Sequence, residues 1–134
     1  ENAFEYLTKA AELGSIRAHY SLAAMYRNGQ GVKKDKTKEG YHFEEAAIGG
    51  HPDARYYLGC LEEESGRLEI AAQHWIIAAK LGYDGALSSL RGLYMCGLVG
   101  KEDYASALRG HQAAVDATKS PQRDEAEAAQ RQWI

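Results

Sequence analysis

Histidine is the residue type best suited to binding a metal or transferring a proton, and this chain has five. His42 and His74 each stand four residues before a pair of alanines, so they occupy equivalent positions in two similar segments. If those segments are neighbouring helices, the two positions are roughly 9–10 Å apart. One zinc ion does not bridge them, because it binds each nitrogen at roughly 2 Å. Neither HxxxH nor HExxH spacing occurs, and we predict no metal site.

Carboxylates, serines and glycine-rich loops are the other groups that could do chemistry. Glu62-Glu63-Glu64 does not form an acid–base pair, because successive helical residues point about 100° apart. Ser88-Ser89 lies in a helical pattern without the G-x-S-x-G turn of a hydrolase. Gly29-Gln30-Gly31 lacks the lysine and hydroxyl of a phosphate-binding loop. We therefore predict no catalytic residue, no cofactor and no enzyme activity.

An internal repeat places His42, His74, the glutamates and the serines on helices, and Gly29-Gln30-Gly31 between two helices. The sequences AAELG, AAIGG and AAKLG end at Gly14, Gly50 and Gly82, which are 36 and then 32 residues apart. A period in this range is typical of one helix pair per repeat, stacked into a solenoid. We expect an all-α, right-handed solenoid of three antiparallel helix pairs, with a leading half-repeat and a capping helix.

The repeat divides the chain into five segments. We expect residues 1–14 to be the second helix of a preceding repeat, 15–50 the first repeat, 51–82 a second repeat with a short loop, 83–117 a divergent third repeat, and 118–134 a capping helix. Ser120-Pro121 resembles the start of that last helix, which has a narrow face of Gln122, Ala126, Ala129 and Trp133. Because the chain begins inside a helical pattern, we interpret it as a piece of a longer protein.

The first helix of each repeat carries an i, i+4, i+8 pattern that predicts its buried face. Small alanines allow a partner helix to approach, and leucine or tyrosine fills the remaining volume. Glutamate breaks the pattern in the second repeat. The predicted stripes are Ala18, Leu22 and Tyr26; Ala54, Leu58 and Glu62; and Ala86, Leu90 and Tyr94.

These motifs resemble the Sel1-like repeat, a relative of the tetratricopeptide repeat. The first unit, with its G-x-G-V-x-x-D loop at 29–35 followed by Ala46-Ala47 and a closing glycine, is most similar. The second unit lacks that loop and the third keeps only Gly97 and Gly100. The resemblance, over about 110 residues, implies an adaptor that assembles complexes, as in endoplasmic-reticulum degradation and bacterial signalling.

Composition narrows the class of partner. Sixteen basic and nineteen acidic residues give a net charge of -3, too balanced for binding nucleic acid or an anionic membrane by charge alone. No apolar run approaches the roughly 20 residues that span a bilayer. Cys60 and Cys96 are too few for a disulfide framework, which favours half-buried thiols in a reducing intracellular compartment. Localisation is otherwise unreadable, since no targeting signal is visible.

Tyrosine is unusually frequent, with nine in 134 residues. Tyr20 and Tyr56 each lie two residues before the packing leucine, so they point away from the buried stripe. If the first helices line the concave surface, the groove holds aromatic and charged residues, basic in the first repeat and acidic in the second. The predicted groove residues are Arg17, Tyr20, Arg27, Asn28, Asp53, Tyr56, Glu63, Glu64, Ser88 and Met95.

Tyrosine and arginine dominate the energetically important positions of protein interfaces. The leading hypothesis is therefore a non-catalytic scaffold or adaptor that binds a protein segment in the groove. The alternative is a structural subunit, buried in a large assembly, that recognises no transferable peptide. Both predict other proteins as partners and neither predicts membrane insertion.

Overall fold

A computed structural model describes residues 2–132, apart from the side chains of residues 120–123. Within this range the chain folds into seven α-helices and no strand. The helices are α1 (Ala3–Glu12), α2 (Ile16–Asn28), α3 (Lys36–Ile48), α4 (Pro52–Glu64), α5 (Leu68–Lys80), α6 (Asp84–Met95) and α7 (Lys101–Gln132). Consecutive helices pack against each other, and α7 also packs against α5. The expected helical solenoid is confirmed.

The same turn closes α1, α3 and α5. Its glycine has φ of 93°, 94° and 98° at positions 14, 50 and 82, a left-handed conformation that side chains with a Cβ disfavour. The amide after each glycine donates to the carbonyl five residues earlier: Ser15 to Ala10 at 3.0 Å, His51 to Ala46 at 3.1 Å and Tyr83 to Ala78 at 3.0 Å. The glycine period of the sequence therefore marks one repeated backbone turn.

Side-chain caps begin several helices. The Ser15 hydroxyl accepts from the amide of Ala18 at 3.1 Å, and the Asp35 carboxylate begins α3 in the same way. His51 caps α4 through Nδ1, with Pro52 as the first helical residue. At α6 the N-cap is Tyr83, which makes no side-chain cap bond, so Asp84 supplies charge at the first helical position instead.

The predicted buried stripe is complete only on α2. Leu22 and Leu90 are 1% and 0% exposed, whereas Leu58 is half-buried. Tyr94 was expected inside the stack, and that prediction is wrong, since its side chain is 37% exposed. Tyr94 lies in the last turn of α6, where its ring stacks on Tyr104 of α7 with centroids 4.9 Å apart. It thus covers the helix junction from outside.

The predicted start of a capping helix at Ser120-Pro121 is also wrong, because α7 continues without a break from Lys101 to Gln132. No glycine follows Gly110, so the chain lacks the residue that forms the turns after α1, α3 and α5. Strong helix formers such as alanine, glutamate and glutamine then extend the helix. Ala126 and Ala129 of the predicted capping face are exposed. The Gln122 side chain and Trp133 lie outside the described residues.

No helix in the described part of the chain is both long enough and apolar enough to cross a membrane.

Candidate protein-binding surface

Tyrosines from three successive first helices meet on one surface. Tyr20 of α2 lies against Tyr57 of α4, with ring centroids 6.3 Å apart. Tyr57 contacts the adjacent Tyr56 at 5.4 Å, and Tyr56 contacts Tyr83 at the start of α6 at 4.8 Å. All four side chains are half-buried. We call the side of the stack formed by α2, α4 and α6 the first-helix face, and these rings run across it.

Two of the predicted groove residues, Tyr20 and Tyr56, belong to this row, and a third, Asp53, lies beside it. Burial raises the pKa of the Tyr20 hydroxyl, and the neighbouring Tyr57 hydroxyl and Asp53 charge raise it further. Burial also raises the pKa of Tyr83, to about 12, with added effects of Tyr57, Asp53, Tyr56 and Tyr20. The hydroxyls of Tyr20 and Tyr83 and the Asp53 carboxylate therefore share one partly desolvated surface.

Arg27 and Glu64, also predicted for the groove, bond to each other. The Arg27 guanidinium donates to Glu64 at 2.9 Å and to Glu39 at 2.7 Å, and Glu39 is only 3% exposed. Burial lowers the pKa of Arg27, but the hydrogen bonds and charges of both carboxylates outweigh it and raise the pKa overall. The expected change from a basic first repeat to an acidic second repeat is therefore neutralised at this junction.

The remaining predicted groove residues do not join the tyrosines. Asn28 lines a surface hollow beside Arg27 and Glu64, while four others are exposed: Arg17, Glu63, Ser88 and Met95. Burial raises the pKa of Tyr56, and Ser89, one residue after the predicted serine, acts in the opposite direction. The predicted set therefore mixes one cohesive cluster with isolated surface positions.

Sequence reasoning missed Tyr57 and Tyr83. Tyr57 is the residue after Tyr56. Its ring stacks on the buried Phe43 with centroids 5.2 Å apart, so Tyr57 contacts both the core and the surface row. Tyr83 follows Gly82 and is the counterpart of the caps Ser15 and His51. Aligning the residue after each repeat glycine would have flagged this tyrosine, because it replaces a residue that caps its helix.

The two equivalent histidines have different partners. The Nδ1 atoms of His42 and His19 lie 2.9 Å apart, whereas Nδ1 of His74 faces the guanidinium of Arg55 at 3.4 Å. Sequence reasoning did not find either partner. In the described part of the chain, no group of three or more histidine, cysteine, aspartate or glutamate side chains could hold a metal ion.

Neither cysteine forms a disulfide. Cys60 is half-buried next to Tyr56, and burial raises the pKa of its thiol. Cys96 is exposed after α6, so the expectation that both thiols are half-buried is wrong for this residue. Its place in the turn that leads to α7, beyond the packed part of α6, accounts for the exposure.

The helices and turns define a helical-repeat solenoid, and comparison with a solved structure identifies its type. A Sel1 repeat protein from Oxalobacter formigenes matches with a TM-score of 0.69 at 23% identity, over 82% of this chain and 48% of that one. The chain has the Sel1-repeat fold, as its sequence motifs predicted. No protein-family model matches the chain.

A curated protein shares sequence with the chain. Chitin synthase regulatory factor 4 from Schizosaccharomyces pombe is 31% identical over 86 residues, which are 63% of this chain and 14% of that protein. The chain thus corresponds to a small part of this relative and to about half of the solved Sel1 repeat protein.

Proposed function

We propose that the chain is a non-catalytic scaffold that binds a segment of another protein along the first-helix face. The observation that carries this proposal is the row of four half-buried tyrosines contributed by three successive units. A surface assembled from several repeats suits an extended partner, because each repeat contacts a successive part of it.

The composition of this face supports the proposal. Tyrosine gives a large contact area at low conformational-entropy cost, and its hydroxyl can hydrogen-bond to a partner's backbone. The rings already pack on one another and on Trp75, so little ordering is left for binding to require. The name of the Schizosaccharomyces pombe relative includes "regulatory factor", and a segment that holds another protein suits such a role.

The test is affinity capture from a lysate of the source cells, followed by transfer of the captured protein to a purified binding assay. We expect the Tyr20→Ala/Tyr56→Ala variant to lose the partner, because truncated interface tyrosines typically cost 2 kcal/mol or more at hot spots, a factor of about 30 in affinity. Circular dichroism and urea unfolding check that the variant still folds.

The matched control is Tyr6→Ala/Tyr41→Ala. These tyrosines are 65% and 55% exposed on α1 and α3, and neither belongs to the row of tyrosines on the first-helix face. The control should retain the partner. Equal loss in both variants, or retention in both, would contradict binding along the first-helix face.

The alternative, a structural subunit of a larger assembly, is supported by a different surface. Large apolar side chains are exposed where the second helices end: Leu13 at 89%, Ile48 at 69% and Leu81 at 45%. Large exposed apolar side chains at the ends of successive second helices favour a permanent contact. If Leu13→Ser/Ile48→Ser abolishes complex formation and Tyr20→Ala/Tyr56→Ala does not, the structural-subunit hypothesis is the better one.

A further inference from the structure

Asp53 is the charged member of the tyrosine row. We define the tyrosine–aspartate cluster as Asp53 with the tyrosines at positions 20, 56, 57 and 83. Asp53 lies in the first turn of α4, whose N-terminus offsets part of its charge. The side chain is half-buried, and its charge reaches the hydroxyls of both Tyr20 and Tyr83. Tyr56 and Tyr57 follow Asp53 by three and four positions on the same helix, so all three side chains lie on one helix face.

Asp53 differs from four other acidic residues on or beside the first helices. Glu39, Glu64 and Glu62 are each paired with an arginine, and Asp84 faces His111 at 2.6 Å. The ion pairs of the described residues do not include Asp53. A half-buried carboxylate among aromatic rings, with no ion-pair partner among the described residues, is incompletely compensated.

The first-helix face already contains one group that pairs with both a tyrosine ring and carboxylates. The Arg27 guanidinium lies over the Tyr57 ring, 5.4 Å from its centroid, and bonds to the carboxylates of Glu39 and Glu64. One tyrosine ring with neighbouring carboxylates thus already holds an arginine. Tyr20 and Tyr83, at the two ends of the tyrosine–aspartate cluster, share the Asp53 charge, and in the described part of the chain no arginine lies over either ring.

We propose that the tyrosine–aspartate cluster binds an arginine side chain of the partner segment. The proposal rests on the proposed function and adds a specificity to it. A guanidinium is planar, so it stacks on a tyrosine face while its N–H groups donate to a carboxylate and to phenol oxygens. Lysine matches these surroundings less well, because its ammonium is more strongly hydrated and does not present a planar fork.

The probe is the capped pentapeptide Ala-Ala-Arg-Ala-Ala, titrated into the chain with isotope-labelled tyrosine rings and followed by NMR. Tyr→Phe variants assign the ring signals. We expect the signals of Tyr20 and Tyr83 to shift with the arginine peptide, because the Asp53 charge acts on both hydroxyls, whereas the Tyr57 ring already lies between Phe43 and Arg27. The matched peptide with citrulline, which is neutral and nearly isosteric, should bind about fivefold or more weakly, because it lacks the cationic charge.

Asp53→Asn tests the carboxylate with little change of shape. We expect this variant to bind the arginine peptide about fivefold or more weakly and to lose most of its preference over citrulline. Asp84→Asn is the matched control, since it removes the same charge from the first turn of α6 outside the cluster. It should bind like the unmodified chain. Circular dichroism establishes that both variants are folded.

Three results would overturn the proposal: no shift of the cluster tyrosines at millimolar arginine peptide, equal affinity for the citrulline peptide, or unchanged affinity in Asp53→Asn. The proposed function is judged separately by capture of a partner. A partner lost on Tyr20→Ala/Tyr56→Ala but unaffected by Asp53→Asn would leave the protein-binding face standing and exclude the arginine site. Failure of both variants to alter capture would exclude the face itself.

Discussion

Helix α5, which packs against α4, and the C-terminal half of α7 are both alanine-rich, yet only α5 is buried. In α5 the buried residues are Ala71, Ala72, Trp75, Ala78 and Ala79. From residue 116 to 132, every residue of α7 whose side chain is described is exposed. Alanine-rich composition therefore specifies helix in both regions, while burial depends on a neighbouring helix within reach.

The largest effect expected in the packed region comes from a single added methyl group at Gly59. A Cβ at this position would lie 2.3 Å from Nε1 of Trp75, whose ring is fully buried and whose N–H donates to the Tyr56 carbonyl at 3.1 Å. We expect Gly59→Ala to lower the free energy of unfolding by about 1–3 kcal/mol, because the ring has nowhere to move. Urea denaturation measures it.

Gly92→Ala is the control for that substitution. Gly92 lies inside α6, and a Cβ there would meet nothing within 4 Å. Alanine has the higher helix propensity, so this variant should gain up to about 1 kcal/mol. If the two variants changed stability in the same direction, close packing between α4 and α5 would not explain the effect at Gly59.

A smaller effect should come from pH, through His42 of α3 and His74 of α5. Burial lowers the pKa of His42, and the charges of His19 and Lys38 lower it further, whereas the charge of Glu45 raises it. Burial and the charge of Arg55 lower the pKa of His74, whereas the charges of Glu62 and Glu44 raise it. Both folded values thus lie below the unfolded value of about 6.5. Their contribution to stability is complete above about pH 6.5 and is lost as pH falls through the folded pKa.

Urea unfolding at about pH 7.5 and about pH 5 should show the lower stability at acid pH. The double variant His42→Gln/His74→Gln isolates these side chains from the acidic residues that also titrate. It should show a weaker pH dependence than the unmodified chain. An unchanged dependence would mean that the histidines do not contribute to it.

The smallest effect should follow removal of residues 120–134 from the exposed end. The described side chains from 124 to 132 are all exposed, so the packed helices should keep their free energy of unfolding to within about 0.5 kcal/mol. Unfolding of the truncated and the longer chain by urea checks this. A loss of several kcal/mol would show that this segment packs on the stack after all.

The sequence predicted the features that recur. The glycine spacing indicated the turns because only glycine adopts their backbone conformation readily. Ser15 and Asp35 indicated helix starts because their side chains accept local amides. Both signals lie within a few residues of the structure they specify, so one sequence suffices to find them.

Features that depend on distant neighbours were harder to predict. Leu22 and Leu58 occupy the same repeat position, but only Leu22 is fully buried. The partners of His42 and Arg27 come from other helices, and spacing along the chain does not reveal them. Pro121 looked like a helix start because proline suits that position, although a helix already in progress can continue through it.

The arginine that joins two units also gives the stack a salt-dependent linkage. Arg27 and Glu39 belong to the first helix pair and Glu64 to the second. The Arg27–Glu64 contact therefore couples two neighbouring repeats. Salt screens the more exposed Arg27–Glu64 contact more than the Arg27–Glu39 contact, whose carboxylate is buried. Raising the ionic strength therefore weakens the contact between the two repeats more than it weakens the first helix pair. The two repeats should then unfold less cooperatively before the first helix pair itself becomes unstable.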